Sequence, residues 1–460
     1  GTSILVNVLL RVGGVPPRKV SLCRWIYAGV LAWCVCVVNG LPHLCSVFSV
    51  PLNGERIMMT TRIFVDGSVY SPVAPYATAL LTEDGTVRWV GSDAGARSIA
   101  DESTEVVELN GDLLTPAFAR ALAPVSGKDA PEIVDYLATY RAAGYHTHTL
   151  LVTMEDIADL VLALHHAAEE HGPSDIRLVL DASGPKVEGH EHTGIDIEEL
   201  IDAVKVLRPL TEGERAVPGL SLIGIQVPAA LVADYAQVAE DASLVLSIDA
   251  SSGFTAAARS ALLVREQRPW LPIRLDGAVS TPQDSITDEW LQKLAEARVN
   301  LGLSGLVPES DDSAGAVEAL TALAIGGDER ESVASVARRA NAAGTSIALG
   351  SDAQLYAPGS WSLIRDLVND EHGMSARSAF AALTRGVYRL AHEDNPFAGQ
   401  LAPDTPAFVA RWRVEELMVQ APDSRVASWS TDPRARIPLL PVLEEGFPLP
   451  VLESIYTESY

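Results

Sequence analysis

Hydrophobic positions fall into two rhythms along this chain. From Thr60 onward come short runs rich in Val, Ile, Leu and aromatics, Arg62–Tyr70, Ala77–Leu81, Thr86–Gly91 and Glu105–Leu109, separated by turn pairs such as Asp66-Gly67 and Asp84-Gly85. They predict a small β-sheet domain. Eight apolar runs suited to buried parallel strands follow: Leu113–Phe118, His146–Val152, Ile176–Leu180, Leu222–Val227, Leu244–Ile248, Ile273–Leu275, Val299–Leu303 and Ser346–Leu349. Stretches with a 3.6-residue period lie between and after them, at Pro131–Ala143, Met154–His171, Ile195–Leu207, Ala229–Ala242, Ala256–Arg268, Asp288–Ala297, Arg330–Ala343 and Ala376–Ala391. Eight strand–helix units over roughly 280 residues match the size of a (β/α)8 TIM barrel. A doubly wound sheet with the same alternation is the alternative.

After the last helix the pattern returns to short strands, Ala407–Trp412 and Arg425–Ser428, and to a tail holding Pro438, Pro441, Pro448 and Pro450. The economical topology is a barrel over 113–395 inserted into a composite β-sandwich domain formed by 58–112 and 396–460. Residues 1–57 form an extension of different character. They hold all four cysteines (Cys23, Cys34, Cys36, Cys45) and five basic residues (Arg11, Arg18, Lys19, Arg24, Arg56) against one acidic residue, Glu55. Trp25–Val38 is apolar throughout and shorter than the ~20 residues of a membrane span, the outline of a signal-peptide core. Translated upstream sequence is the other reading, because a recognisable domain begins directly after Met58 and Met59. The remainder has no cysteine and needs no oxidising compartment, so a cytoplasmic location is expected. Export or anchoring through residues 18–39 is the alternative, and a membrane partner is expected only if that extension is native.

Net charge narrows the partners. At −26 the surface repels a phosphate backbone, which excludes nucleic acid and leaves a small-molecule substrate or ligand as the expected partner. Nothing in the sequence specifies an oligomeric state. Nucleotide chemistry is also unexpected, since no Gly-x-Gly-x-x-Gly or phosphate loop occurs, and no Gly-x-Ser-x-Gly elbow stands in the body.

Candidate chemistry gathers at the C-terminal ends of the predicted strands, where barrels place reactive groups. Asp181, Asp249, Asp276 and Asp352 all stand there. His190 and His192 follow the third strand in Gly189-His190-Glu191-His192. Carboxylates and imidazoles together suit a divalent cation, with Asp181, His190 and His192 as the candidate set; helix and loop capping is the plainer role for the aspartates. Lys128, Asp249 and Asp276 are candidate substrate-binding residues. Lys128 and Lys186 could offset the acids or stand as surface lysines. His146 and His148 open the second strand, at the opposite end, where packing is expected.

Val87-Arg88-Trp89-Val90-Gly91-Ser92, Leu114-Thr115-Pro116-Ala117-Phe118, Leu349-Gly350-Ser351-Asp352-Ala353, Trp361, Thr384-Arg385-Gly386 and Gly399-Gln400-Leu401-Ala402-Pro403 occur in this order. In these motifs the chain resembles the amidohydrolase superfamily, closest to the amidohydrolase family 3 group of metal-dependent hydrolases, over about residues 60–435. The resemblance implies hydrolysis of non-peptide C–N bonds, a zinc-type divalent metal, and Asp352 as metal ligand and proton acceptor. It also implies a His-x-His pair after the Pro-x-Phe turn, a lysine at the fourth strand and histidines at the fifth and sixth. This chain has Leu122 and Pro124, Gln226, Asp249 and Asp276 there. Zinc activation of water needs about three protein ligands, so the metal is expected to be absent or weakly bound. Activity is correspondingly expected to be weak or lost, with a pseudoenzyme acting as a ligand- or protein-binding scaffold as the alternative.

Overall fold

The computed structural model describes residues 5–10, 18–27, 30–38, 45–51, 60–184, 194–212, 216–304, 331–350, 360–418 and 438–457. Four strands come first, β1 (Leu5–Leu10), β2 (Arg18–Tyr27), β3 (Val30–Val38) and β4 (Cys45–Pro51), paired antiparallel in that order. The apolar stretch Trp25–Val38 falls on the end of β2 and on β3. Among the described residues no helix is long and apolar enough to cross a membrane.

Residue 60 onward begins with β5 (Thr61–Val65), β6 (Ser68–Val69), β7 (Ala79–Glu83), β8 (Thr86–Gly91), β9 (Glu105–Glu108) and β10 (Leu113–Pro116). The barrel strands follow: β11 (Phe118–Pro124), β12 (Tyr145–Val152), β13 (Asp175–Asp181), β14 (Leu220–Pro228), β15 (Val245–Asp249), β16 (Ile273–Ala278), β17 (Asn300–Leu303) and β18 (Ile347–Leu349). All eight pair in parallel and in chain order. The Leu122 N–H donates to Gly350 O at 3.3 Å, which brings the first strand against the last. With helices between the strands, this is the (β/α)8 barrel the periodicity predicts. Local chemistry supports several of these units. The helix Ala130–Ala142, for example, opens on a capping box between Asp129 and Glu132 with a proline in its first turn.

After the barrel, β19 (Val409–Arg413), β20 (Leu417–Met418), β21 (Leu440–Pro441) and β22 (Val451–Tyr456) complete the strands. Both chain ends build one sheet, in the order β22-β19-β10-β6, beside a second sheet in the order β8-β7-β5-β9. Phe64, Leu80 and Val87 from the front of the chain share a buried core with Leu401 and Val409 from the back. The predicted strand Arg425–Ser428 lies outside the described residues.

Two predicted elements are divided. The run Leu113–Phe118 is not one barrel strand: its first part, β10, pairs antiparallel with β19, and the barrel begins only at Phe118. Pro116 has no N–H to extend a ladder, Ala117 N–H turns to Phe408 O, and Phe118 N–H then bonds Gly144 O beside β12. The stretch Ala376–Ala391 is two helices, Ala376–Ala382 and Arg385–Leu390. Thr384 Oγ1 donates to Phe380 O at the break, and Gly386 passes so close to β18 that a Cβ there would sit 2.3 Å from Ile347 O.

The second of these helices closes the barrel's N-terminal end. Tyr388 meets Thr147 Oγ1 at 2.8 Å and lies under the Arg177 guanidinium, while Asn300 Nδ2 donates to Arg389 O. Between barrel and sheet sits an aromatic cluster around Phe118, whose ring centre is 5.5 Å from Trp361, 5.5 Å from Phe380 and 5.7 Å from Trp412. Gly144 borders it with φ +93°, and a Cβ there would lie 2.4 Å from the Trp412 ring. Gly144→Ala combines left-handed strain with overpacking and is expected to cost roughly 2–4 kcal/mol in a urea unfolding experiment.

Candidate functional site: a buried arginine–aspartate pair in the barrel

With its N-terminal end closed, the barrel presents its C-terminal end, and the strands order the candidate residues there by register. Asp249 stands opposite Asp276, Asp181 opposite Gln226, Gln226 opposite Ser247, and Ser247 opposite Arg274. Side chains two apart on a strand share a face, so Arg274 and Asp276 lie together. Both are buried, at 0% and 1% exposure. Arg274 Nε donates to Asp276 Oδ2 at 2.5 Å and Nη2 to Oδ1 at 2.6 Å, a bidentate pair. Nη2 also donates to Ala121 O at 2.9 Å. Because β11 is not a neighbour of β16 in the sheet, the arginine crosses the barrel interior to reach it.

Two further strands join this pair. Ser247 Oγ lies 2.5 Å from Asp276 Oδ2 and 3.3 Å from Gln226 Oε1. The hydroxyl has one proton, and the shorter contact to the carboxylate takes it. Ser247 therefore donates to Asp276, with Gln226 Oε1 at the edge of the same network. One network thus links β14, β15, β16 and β11. Its remaining donor, Arg274 Nη1, is buried without a hydrogen-bond partner, as is Thr149 Oγ1 on β12.

Sequence reasoning named Asp276 and Gln226, which the structure sets on β16 and β14, and did not name Arg274. The available signal was an arginine inside the apolar run Ile273–Leu275, two residues before an aspartate on the same strand. Asp181 and Asp249 do end β13 and β15, but each turns one oxygen to its own loop. Asp181 Oδ1 accepts from Ser183 N at 2.9 Å, and Asp249 Oδ1 accepts from Ser251 N at 2.9 Å and from its hydroxyl at 2.6 Å. These are the local caps that compete with a ligand role. Lys128 lies apart, 4.0 Å from Glu132 on the helix that follows. His190, His192, Asp352 and Lys186 lie outside the described residues.

A divalent ion of the kind the resemblance implies does not fit the described donors. Leu122 is buried with a side chain that cannot coordinate, and Pro124 beside it offers none either. Both Asp276 oxygens already serve Arg274. Among the described residues no group of three or more His, Cys, Asp or Glu side chains could hold an ion.

His146 and His148 occupy the start of β12 and are fully buried. His148 Nδ1 lies 3.1 Å from Tyr136 Oη, and the His146 ring packs 4.2 Å from Phe408. Neither His146 nitrogen nor His148 Nε2 has a hydrogen-bond partner. Burial, and then the positive charge of Arg141, lowers His146 to a pKa of about 3; burial, and then the neighbouring His146 and Arg120, does the same for His148. Two neutral rings at the end opposite the site are packing elements.

No family model matches the chain, and no curated protein matches it. Solved structures do resemble it. An amidohydrolase from an environmental sample of the Sargasso Sea aligns with a TM-score of 0.56 and 13% identity, over 77% of this chain and 85% of the other. A metal-dependent hydrolase from Pyrococcus furiosus gives 0.54 and 12%, over 76% and 98%. N-isopropylammelide isopropylaminohydrolase from Burkholderia multivorans gives 0.51 and 14%, over 77% and 92%. At such identities the likeness establishes a shared fold, a (β/α)8 barrel with an additional strand-rich part.

The buried histidines carry a pH prediction. Their folded pKa lies below the unfolded value near 6.5, so the unfolded chain takes up protons first, and the stability they contribute is present above pH 6.5 and lost as pH falls towards 3. Unfolding free energy should drop by about 1–3 kcal/mol per pH unit between pH 6 and 5. Replacing both by asparagine should flatten that slope in urea titrations.

Proposed function

We propose that this chain is a small-molecule-binding barrel of amidohydrolase architecture in which metal-assisted hydrolysis is lost or weak. The observation that carries this reading is the Arg274–Asp276 pair, which takes both oxygens of a strand-end carboxylate, together with Leu122 and Pro124 at the positions of the expected His-x-His pair. The favoured ligand is a neutral amide, imide or cyclic urea. Arg274 is already neutralised, and the strand ends carry Asp181 and Asp249, so an anion would meet like charge there. A carbonyl oxygen would instead offer the Nη1 protons an acceptor at no cost in charge.

Three measurements test this. Elemental analysis of the purified protein is expected to find less than one equivalent of zinc, manganese or iron. A panel of amides, imides and cyclic ureas is expected to include compounds that raise the melting temperature in a saturable way, as a ligand of the native state must. Turnover of those compounds is expected to stay at or near the buffer rate. A stoichiometric ion that disappears in His190→Ala and His192→Ala, with amide hydrolysis removed by Asp352→Asn, would instead make the chain a working hydrolase with a relocated metal site at Asp181, His190 and His192.

A further inference from the structure

Among the described residues the Arg274–Asp276 pair is the most deeply buried ion pair. A lone carboxylate at that depth would need a cation, because desolvation of an unpaired charge costs several kcal/mol. The barrel meets that need with a group of its own chain. Nε and Nη2 grip both oxygens of Asp276, and the second Nη2 proton reaches Ala121 O, the neighbour of Leu122 on the first strand. Ser247 Oγ lies 2.5 Å from the same carboxylate and 3.3 Å from Gln226 Oε1. A guanidinium cannot be deprotonated in a protein and cannot dissociate from the chain.

We infer that Arg274 is a tethered replacement for a bound metal ion: it neutralises Asp276 and ties β16 to β11 across the interior, so the barrel keeps its charge balance and shape with no ion. The inference rests on the reading of the barrel as metal-free. Metal content and chelation test that reading, whereas the melting of variants tests this one.

The full chain is melted with and without EDTA, and with millimolar MnCl2 or methylguanidinium, beside Arg274→Ala and the double variant Arg274→Met/Asp276→Leu. Wild type is expected to ignore EDTA and both cations. Arg274→Ala is expected to melt roughly 5–10 °C lower, since it strands a buried carboxylate, and to recover in a saturable way with either cation. The double variant replaces the pair by apolar bulk; it is expected within a few degrees of wild type and blind to both cations. If Arg274→Ala does not fold, the cation titrations are read on Arg274→Gln. A single variant as stable as wild type overturns the inference, as does one that neither cation stabilises beyond its effect on wild type. A wild-type melt lowered by EDTA overturns the metal-free reading as well.

Discussion

A charge inside a dry barrel must be paired, and here one side chain does the pairing for four strands. Arg274 holds Asp276 through both oxygens, Asp276 accepts from Ser247, whose hydroxyl also lies 3.3 Å from Gln226 Oε1, and the same guanidinium reaches the backbone of the first strand. Such a pair adds little net stability over apolar packing, because desolvating two ions offsets most of their attraction, whereas breaking it costs about 3–5 kcal/mol. Its larger effect is on chemistry. Asp276, two residues before the end of β16, gives both its oxygens to the guanidinium and sits beside a permanent positive charge.

The rest of the fold holds this interior in place from the other end. Helix Arg385–Leu390 covers the starts of the strands through Tyr388, with Arg177 stacked on its ring and tied to Asp175 at 3.0 Å and Glu393 at 2.6 Å. Around Phe118 the rings of Trp361, Phe380 and Trp412 lock the first barrel strand to the sheet made by both chain ends. Asp181 and Asp249 end their strands at the opposite, C-terminal end. Phe118, Trp361 and Gly386 belong to the motifs that carry the family resemblance, and their contacts are those of packing and close approach. In these three residues the motifs serve the scaffold.

Much of this was legible in the residues. The β/α rhythm is a local property, since the alternation of apolar runs and 3.6-residue periods reflects burial on each element's own face, and seven of the eight barrel strands lie where that rhythm places them. The eighth was obscured because Leu113–Phe118 is apolar throughout, and only partners far along the chain, Trp412 for Leu113 and Gly144 for Phe118, divide it between two sheets. That Leu122 and Pro124, and no imidazoles, follow the Pro-x-Phe turn is visible in the sequence alone.

By itself, then, the sequence determined the barrel class, the lack of a His-x-His pair after the Pro-x-Phe turn and the run of acids along the later strands, because each follows from residue type and spacing along one segment. Only the tertiary structure decided which of those acids is free. Asp276 is spent on an arginine two residues away that hid within an apolar run, and that arginine is anchored to a carbonyl 153 residues distant. Such a contact depends on closure of the barrel, which brings β11 and β16 within reach across the interior, and local spacing does not encode it.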